Sequence, residues 1–130
     1  MLAAASADGD TRIVYRDLPV FGPVSEDAAR VALATQPPEL YPRVHDAFMR
    51  EGRQWSPAVM RSLVEQAGSD WRAAMEAIAQ GGPRRQLAAN RRDAVLLGIQ
   101  GTPTFVIGRY RYVGALSERQ FGQAIERARQ

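Results

Sequence analysis

The sequence predicts an α/β domain in which one strand precedes a long helical block, and a β-hairpin followed by a single helix closes the chain. Three observations carry this. Residues Thr11–Asp17 alternate with period two. From about residue 25 to 97 the apolar residues recur at helical spacing. Thr102–Val113 then returns to β-branched and aromatic residues around a glycine turn, before one last amphipathic stretch. At 130 residues, with 45% hydrophobic and 24% charged residues, the chain suits one domain able to bury roughly two thirds of its unfolded surface.

Each element has a local cause. Ile13 and Tyr15 alternate with Arg12, Val14 and Arg16, so Thr11–Asp17 reads as a strand. Ser25 can cap a helix running to about Thr35, with Ala28, Val31 and Ala32 on one face, and Gln36-Pro37-Pro38 ends it. A second helix spans about Glu39–Glu51, with Tyr41, Val44, Phe48 and Met49 inward and Pro42 in its first turn. Ser56-Pro57 opens a third, whose stripe is Val59, Met60, Leu63, Val64 and Ala67 and whose stop is Gly68. Ser69 can cap a short fourth helix carrying Trp71, Ala74, Met75 and Ile78. After Gly81-Gly82 a fifth runs from about Pro83 to Leu97 and stops at Gly98. Thr102–Ile107 and YRYV are the arms of a hairpin with Gly108-Arg109 as a two-residue turn. Ser117 to Gln120 fits a capping box, followed by the stripe Phe121, Ala124, Ile125 and Ala128.

Missing residue types narrow the chemistry. All 17 basic residues are arginine, so lysine-dependent phosphate binding and Schiff-base chemistry are excluded. No cysteine is present, which removes disulfides, thiolate nucleophiles and cysteine metal sites. His45 is the single histidine, so no paired-histidine metal site exists. No metal or cofactor is expected, and no residue is assigned a catalytic role. The net charge of +3 is spread from Arg12 to Arg129 among interleaved acids, which argues against a nucleic-acid partner. No apolar run approaches the roughly 20 residues of a membrane span, and Met1–Asp10 lacks the pattern of a signal peptide.

Three runs carry a resemblance that covers nearly the whole chain: RIVYRDLPVFGPVSEDAARVALA, VHDAFM, and LGIQGTPTFVIG with YVGALSERQF. Together they resemble the DsbA-like thioredoxin-fold family of thiol-disulfide oxidoreductases and isomerases. The resemblance implies a thioredoxin-like fold over residues 1–130 with a helical insertion at about 25–97. It also makes Gly101, Thr102 and Pro103 the family's cis-proline loop, where Thr102 would present its backbone to a protein or peptide substrate. Family members carry a central strand and a C-x-x-C motif ahead of the position of Thr11. Here MLAAASA looks like the tail of the helix that follows that motif, so the fold is expected to be N-terminally truncated and redox-inactive by itself. The lost strand would lie between Thr11–Asp17 and Thr104–Ile107, leaving two edges with unpaired amides. A homodimer through exposed or swapped strands is one way to cover them. The family's compartment implies a periplasmic or exported site of action. The alternative is a natural redox-inactive module for peptide binding or dimerisation.

Other conspicuous residues have plainer readings. His45 in VHDAFM reads as a packed histidine of a helix, and Trp55, Trp71, Met49, Met60 and Met75 read as core. Tyr110 and Tyr112 alternate with Arg109 and Arg111 as in an edge strand protected by charge. Arg84, Arg85, Arg91 and Arg92 read as a solvated helix face. Asp17 has no partner that the sequence identifies.

Overall fold

Most helices here start where a side chain can accept a hydrogen bond from the first turn, or where proline makes that bond unnecessary. The computed structural model describes residues 9–130 apart from Arg53; the proposed helix tail MLAAASA lies outside the described residues. By internal contacts the chain divides into two compact units, one combining residues 9–16 with 95–130 and the other spanning Asp17–Ala94.

The Asp17–Ala94 unit is helical. Helix α1 (Pro23–Leu33) begins two residues ahead of the expected Ser25 cap, because Pro23 fits the first turn and Gly22, at φ 86°, turns the chain into it. A 3₁₀ turn at Pro38–Leu40 leads into α2 (Tyr41–Glu51), which buries Val44 and Phe48. Met49 was expected inward but is 59% exposed: one position beyond Phe48, it falls outside the buried stripe. Helix α3 (Pro57–Gln66) is capped by Ser56, whose side chain accepts from Val59 N as expected. Helix α4 (Trp71–Ala79) is capped by Asp70, which accepts from Ala73 N, and not by Ser69. Ser69 is instead buried, its hydroxyl accepting from Gln36 N at 2.9 Å and donating to Gln36 O at 3.0 Å. Helix α5 (Gly82–Leu96) buries Pro83, Leu87, Asn90 and Ala94.

The core of this unit joins α1, α2 and α3 through Val31, Val44, Phe48, Met60 and Val64, with Trp55, Trp71 and Met75 packed around it. Trp55 also donates its indole N–H to the Phe48 carbonyl at 3.1 Å, so an aromatic side chain meets an orphan carbonyl near the end of α2. Removing a side chain such as Phe48 from water contributes about 1.5–3 kcal/mol.

The other unit holds the sheet. Strands β1 (Thr104–Ile107) and β2 (Tyr110–Val113) pair antiparallel, Phe105 opposite Tyr112 and Ile107 opposite Tyr110, around the expected Gly108-Arg109 turn. Helix α6 (Glu118–Arg129) starts with the complete capping box, Ser117 accepting from Gln120 N and the Gln120 side chain accepting from Ser117 N. Phe121 meets Phe105 edge-on with ring centroids 5.4 Å apart. Among the described residues the sheet has two strands, so the strand reading of Thr11–Asp17 is corrected. The segment keeps the predicted alternation, Thr11, Ile13, Tyr15 and Asp17 half-buried and Arg12, Val14 and Arg16 exposed. Propensity sets such an alternation, but a strand also needs a neighbouring ladder, and neither β1 nor β2 pairs with it.

Candidate functional site

The expected substrate loop, Gly101-Thr102-Pro103, links α5 to β1. Helix α5 ends at Leu96, and Gly98, at φ 65°, reverses the chain. Arg111, reaching back from β2, donates to the carbonyls of Leu97 (2.5 Å) and Gly98 (2.9 Å). The backbone angle favours glycine at this position, and a Cβ there would fall 2.5 Å from the same guanidinium nitrogen, so the arginine would have to shift.

Beyond this anchor the loop is tied on its other side. Thr104 donates its hydroxyl to the Gly101 carbonyl at 2.7 Å, and Gly114 N–H donates to the Pro103 carbonyl at 2.9 Å. The Thr102–Pro103 peptide bond is cis, as is Gln36–Pro37. Between these ties Thr102 and Pro103 are exposed. The loop therefore presents main chain to solvent while its flanks are fixed.

The register extends this surface. Ile107 and Tyr110 flank a two-residue turn and form a hydrogen-bonded pair; Phe105 with Tyr112 is the next, and the Gly114–Pro103 bond continues the series. By the same alternation the N–H and C=O groups of Thr104 and Val106 point away from β2. Among the described residues the loop thus runs into an open strand edge carrying no charged residue, whereas β2 carries Arg111.

A second polar cluster lies in the helical unit. Tyr41 donates to Asp17 Oδ2 at 2.6 Å, His45 Nδ1 is 4.0 Å from Asp17 Oδ1, and the Tyr41 hydroxyl is 3.4 Å from His45 Nδ1. Asn90 donates to the Asp17 carbonyl at 2.9 Å and in turn accepts from Gln86. Burial raises the Asp17 carboxyl above its ordinary value, against the smaller lowering effects of the Tyr41 hydrogen bond and the His45 charge. His45 is thus part of a packed network on α2. The i, i+4 spacing of Tyr41 and His45 was visible in the sequence, but Asp17, 24 residues before Tyr41, was not linked to it.

The structure puts half-buried Gly101 next to the exposed step of Thr102 and Pro103. The residues that hold that step, Thr104, Arg111 and Gly114, escaped the sequence reading. Arg111 had been read only as edge protection, since a partner 13 or 14 residues back leaves no local pattern. Among the described residues no group of three His, Cys, Asp or Glu side chains could hold a metal ion, and no helix is long and apolar enough to cross a membrane.

A family model described as a DSBA-like thioredoxin domain matches residues 2–126. The chain is similar to the crystal structure of a periplasmic thioredoxin-like protein from Salmonella enterica serovar Typhimurium, with a TM-score of 0.72 and 23% identity. The match covers 87% of this chain and 63% of that one, so the chain spans less than two thirds of its neighbour's length. No curated protein matches.

Proposed function

Because the chain belongs to the DSBA-like thioredoxin family, we propose that it supplies the substrate-docking surface of a thiol-disulfide oxidoreductase or isomerase, with Gly101, Thr102 and Pro103 meeting an extended segment of a protein or peptide. The observation that carries this reading is the loop's construction: exposed main chain at Thr102-Pro103, tied by Arg111, Thr104 and Gly114, and continuous with the open edge of β1. An extended peptide laid there gains main-chain hydrogen bonds from Thr102, Thr104 and Val106 with little reordering of the protein. Main-chain pairing reads few side chains, which suits an enzyme acting on many unfolded proteins.

Thiol-disulfide exchange passes through a mixed disulfide, and these 130 residues contain no cysteine. The chain by itself therefore holds a substrate and exchanges no sulfur. The family and the periplasmic neighbour support an exported, oxidising compartment. The absence of cysteine also favours a second reading, a redox-inactive peptide-binding or dimerisation module.

Titration of the 15N-labelled chain with a cysteine-free extended peptide tests the shared docking step. Amide shifts concentrated on residues 101–106 support it, and shifts elsewhere, or none, refute it. Reduced substrate mixed with the chain and glutathione disulfide should oxidise at the rate of the buffer control. In-frame translation of the codons upstream of Met1 separates the two readings, a C-x-x-C motif there favouring the oxidoreductase.

A further inference from the structure

The charge of the chain is unevenly placed. Residues 17–94 contain ten arginines and ten acidic residues, so the whole surplus of +3 lies in the residues of the other unit. Arg30, Arg61, Arg72, Arg91 and Arg129 pair with carboxylates, and Arg111 binds backbone carbonyls.

Arg109 and Arg127 are placed differently. The Arg127 guanidinium lies 3.9 Å from the centroid of the Tyr110 ring, and that of Arg109 lies 5.7 Å from it. Glu126, adjacent in sequence to Arg127, is held by Arg129 at 2.9 Å. The hairpin turn rests closely on the end of α6: a Cβ at Gly108 would come within 3.0 Å of Ala128 Cβ. Two cations and a phenol hydroxyl are thereby gathered on an exposed tip, with donors far outnumbering acceptors.

We propose that Arg109, the Tyr110 hydroxyl and Arg127 form a binding site for an oxyanion group, a phosphate or a carboxylate. The planar guanidinium forks supply paired N–H donors, and the phenol supplies one more. The last carbonyls of α6 oppose an anion through the helix dipole, so affinity rests on the two guanidiniums and falls as salt rises. Hydrogen bonding from Arg109, then from Arg127, together with the Arg127 charge, also holds the Tyr110 phenol below its ordinary ionisation range. A bound anion reverses this influence.

The test is a titration of the intact chain with inorganic phosphate, and separately with acetate, against sodium chloride at matched ionic strength. Tyr110 ring and Arg127 side-chain resonances are followed by NMR, and phenol ionisation by ultraviolet absorbance. Saturable shifts at both residues, with phenol ionisation moving to higher pH, are expected. Arg109→Gln and Arg127→Gln should each weaken binding about tenfold, while Arg72→Gln leaves it unchanged. Circular dichroism of each variant confirms that the fold is retained. A stronger response to phosphate assigns a phosphoryl ligand, and a stronger response to acetate an acidic side chain or chain terminus. Shifts no larger than those caused by chloride would overturn the site.

Discussion

Asp17 shows how one residue outside any helix can be fixed within the helical unit. Its carbonyl is held by Asn90 and its carboxylate by Tyr41, with His45 beside it. Because burial raises its carboxyl above the ordinary value, protonated Asp17 favours the folded state. That contribution is complete below the unfolded value of about 3.9 and is lost as pH rises through the folded one. Asp17→Asn keeps an acceptor for Tyr41 and removes the buried charge. Urea unfolding should therefore show the variant gaining stability relative to the parent as pH rises from about 4 towards neutrality; a gap that shrinks over this range contradicts the account. Gly108 is the second informative residue. Its φ of 61° and the 3.0 Å approach of Ala128 both work against a Cβ, so Gly108→Ala should lower stability by about 1–3 kcal/mol in thermal unfolding.

At the scale of elements, neighbouring Ser69 and Asp70 separate two roles that look alike in sequence. Asp70 caps α4, whereas Ser69 satisfies both main-chain groups of Gln36 across 33 residues. Asp70→Ala should cost about 1 kcal/mol and raise amide exchange in the first turn of α4. Ser69→Ala leaves buried polar groups unmet, should cost about 1–3 kcal/mol, and should raise exchange at Gln36 and not within α4. This contrast marks what the sequence made legible. The helices, the hairpin with its Gly108-Arg109 turn and the Ser117 capping box follow from signals a few residues wide, and the structure places them within a few residues of expectation. The cis-proline loop Gly101-Thr102-Pro103 was legible only through family resemblance. Its ties through Arg111 and Gly114, the Asp17 network and the role of Ser69 depend on residues more than ten positions apart, which no local period encodes. Thr11–Asp17 misled for a related reason: alternation predicts which side chains face inward, while a ladder needs a second chain segment alongside.

For the whole molecule, the two units differ in how well they cover themselves. The helical unit buries Val44, Val64, Leu87 and Phe48 almost completely. In the other, Phe121 and Ala124 are buried while Val95 (79%), Leu96 (83%) and Val113 (76%) stand exposed, and β1 carries no charged residue. Such surface commonly associates, so light scattering should report a dimer whose mass falls towards 14.3 kDa on dilution, and Leu96→Glu should favour the monomer. A strictly monomeric chain at all concentrations would refute this. The discontinuity of the sheet-bearing unit, residues 9–16 joined with 95–130, also sets an order of assembly. The helical residues 17–94 make their contacts within one stretch and can form while synthesis continues. The early segment must wait until the hairpin and α6 have emerged, closing a loop that spans the entire helical unit. On the ribosome, then, residues 9–16 emerge ahead of the helical unit and find their place after it.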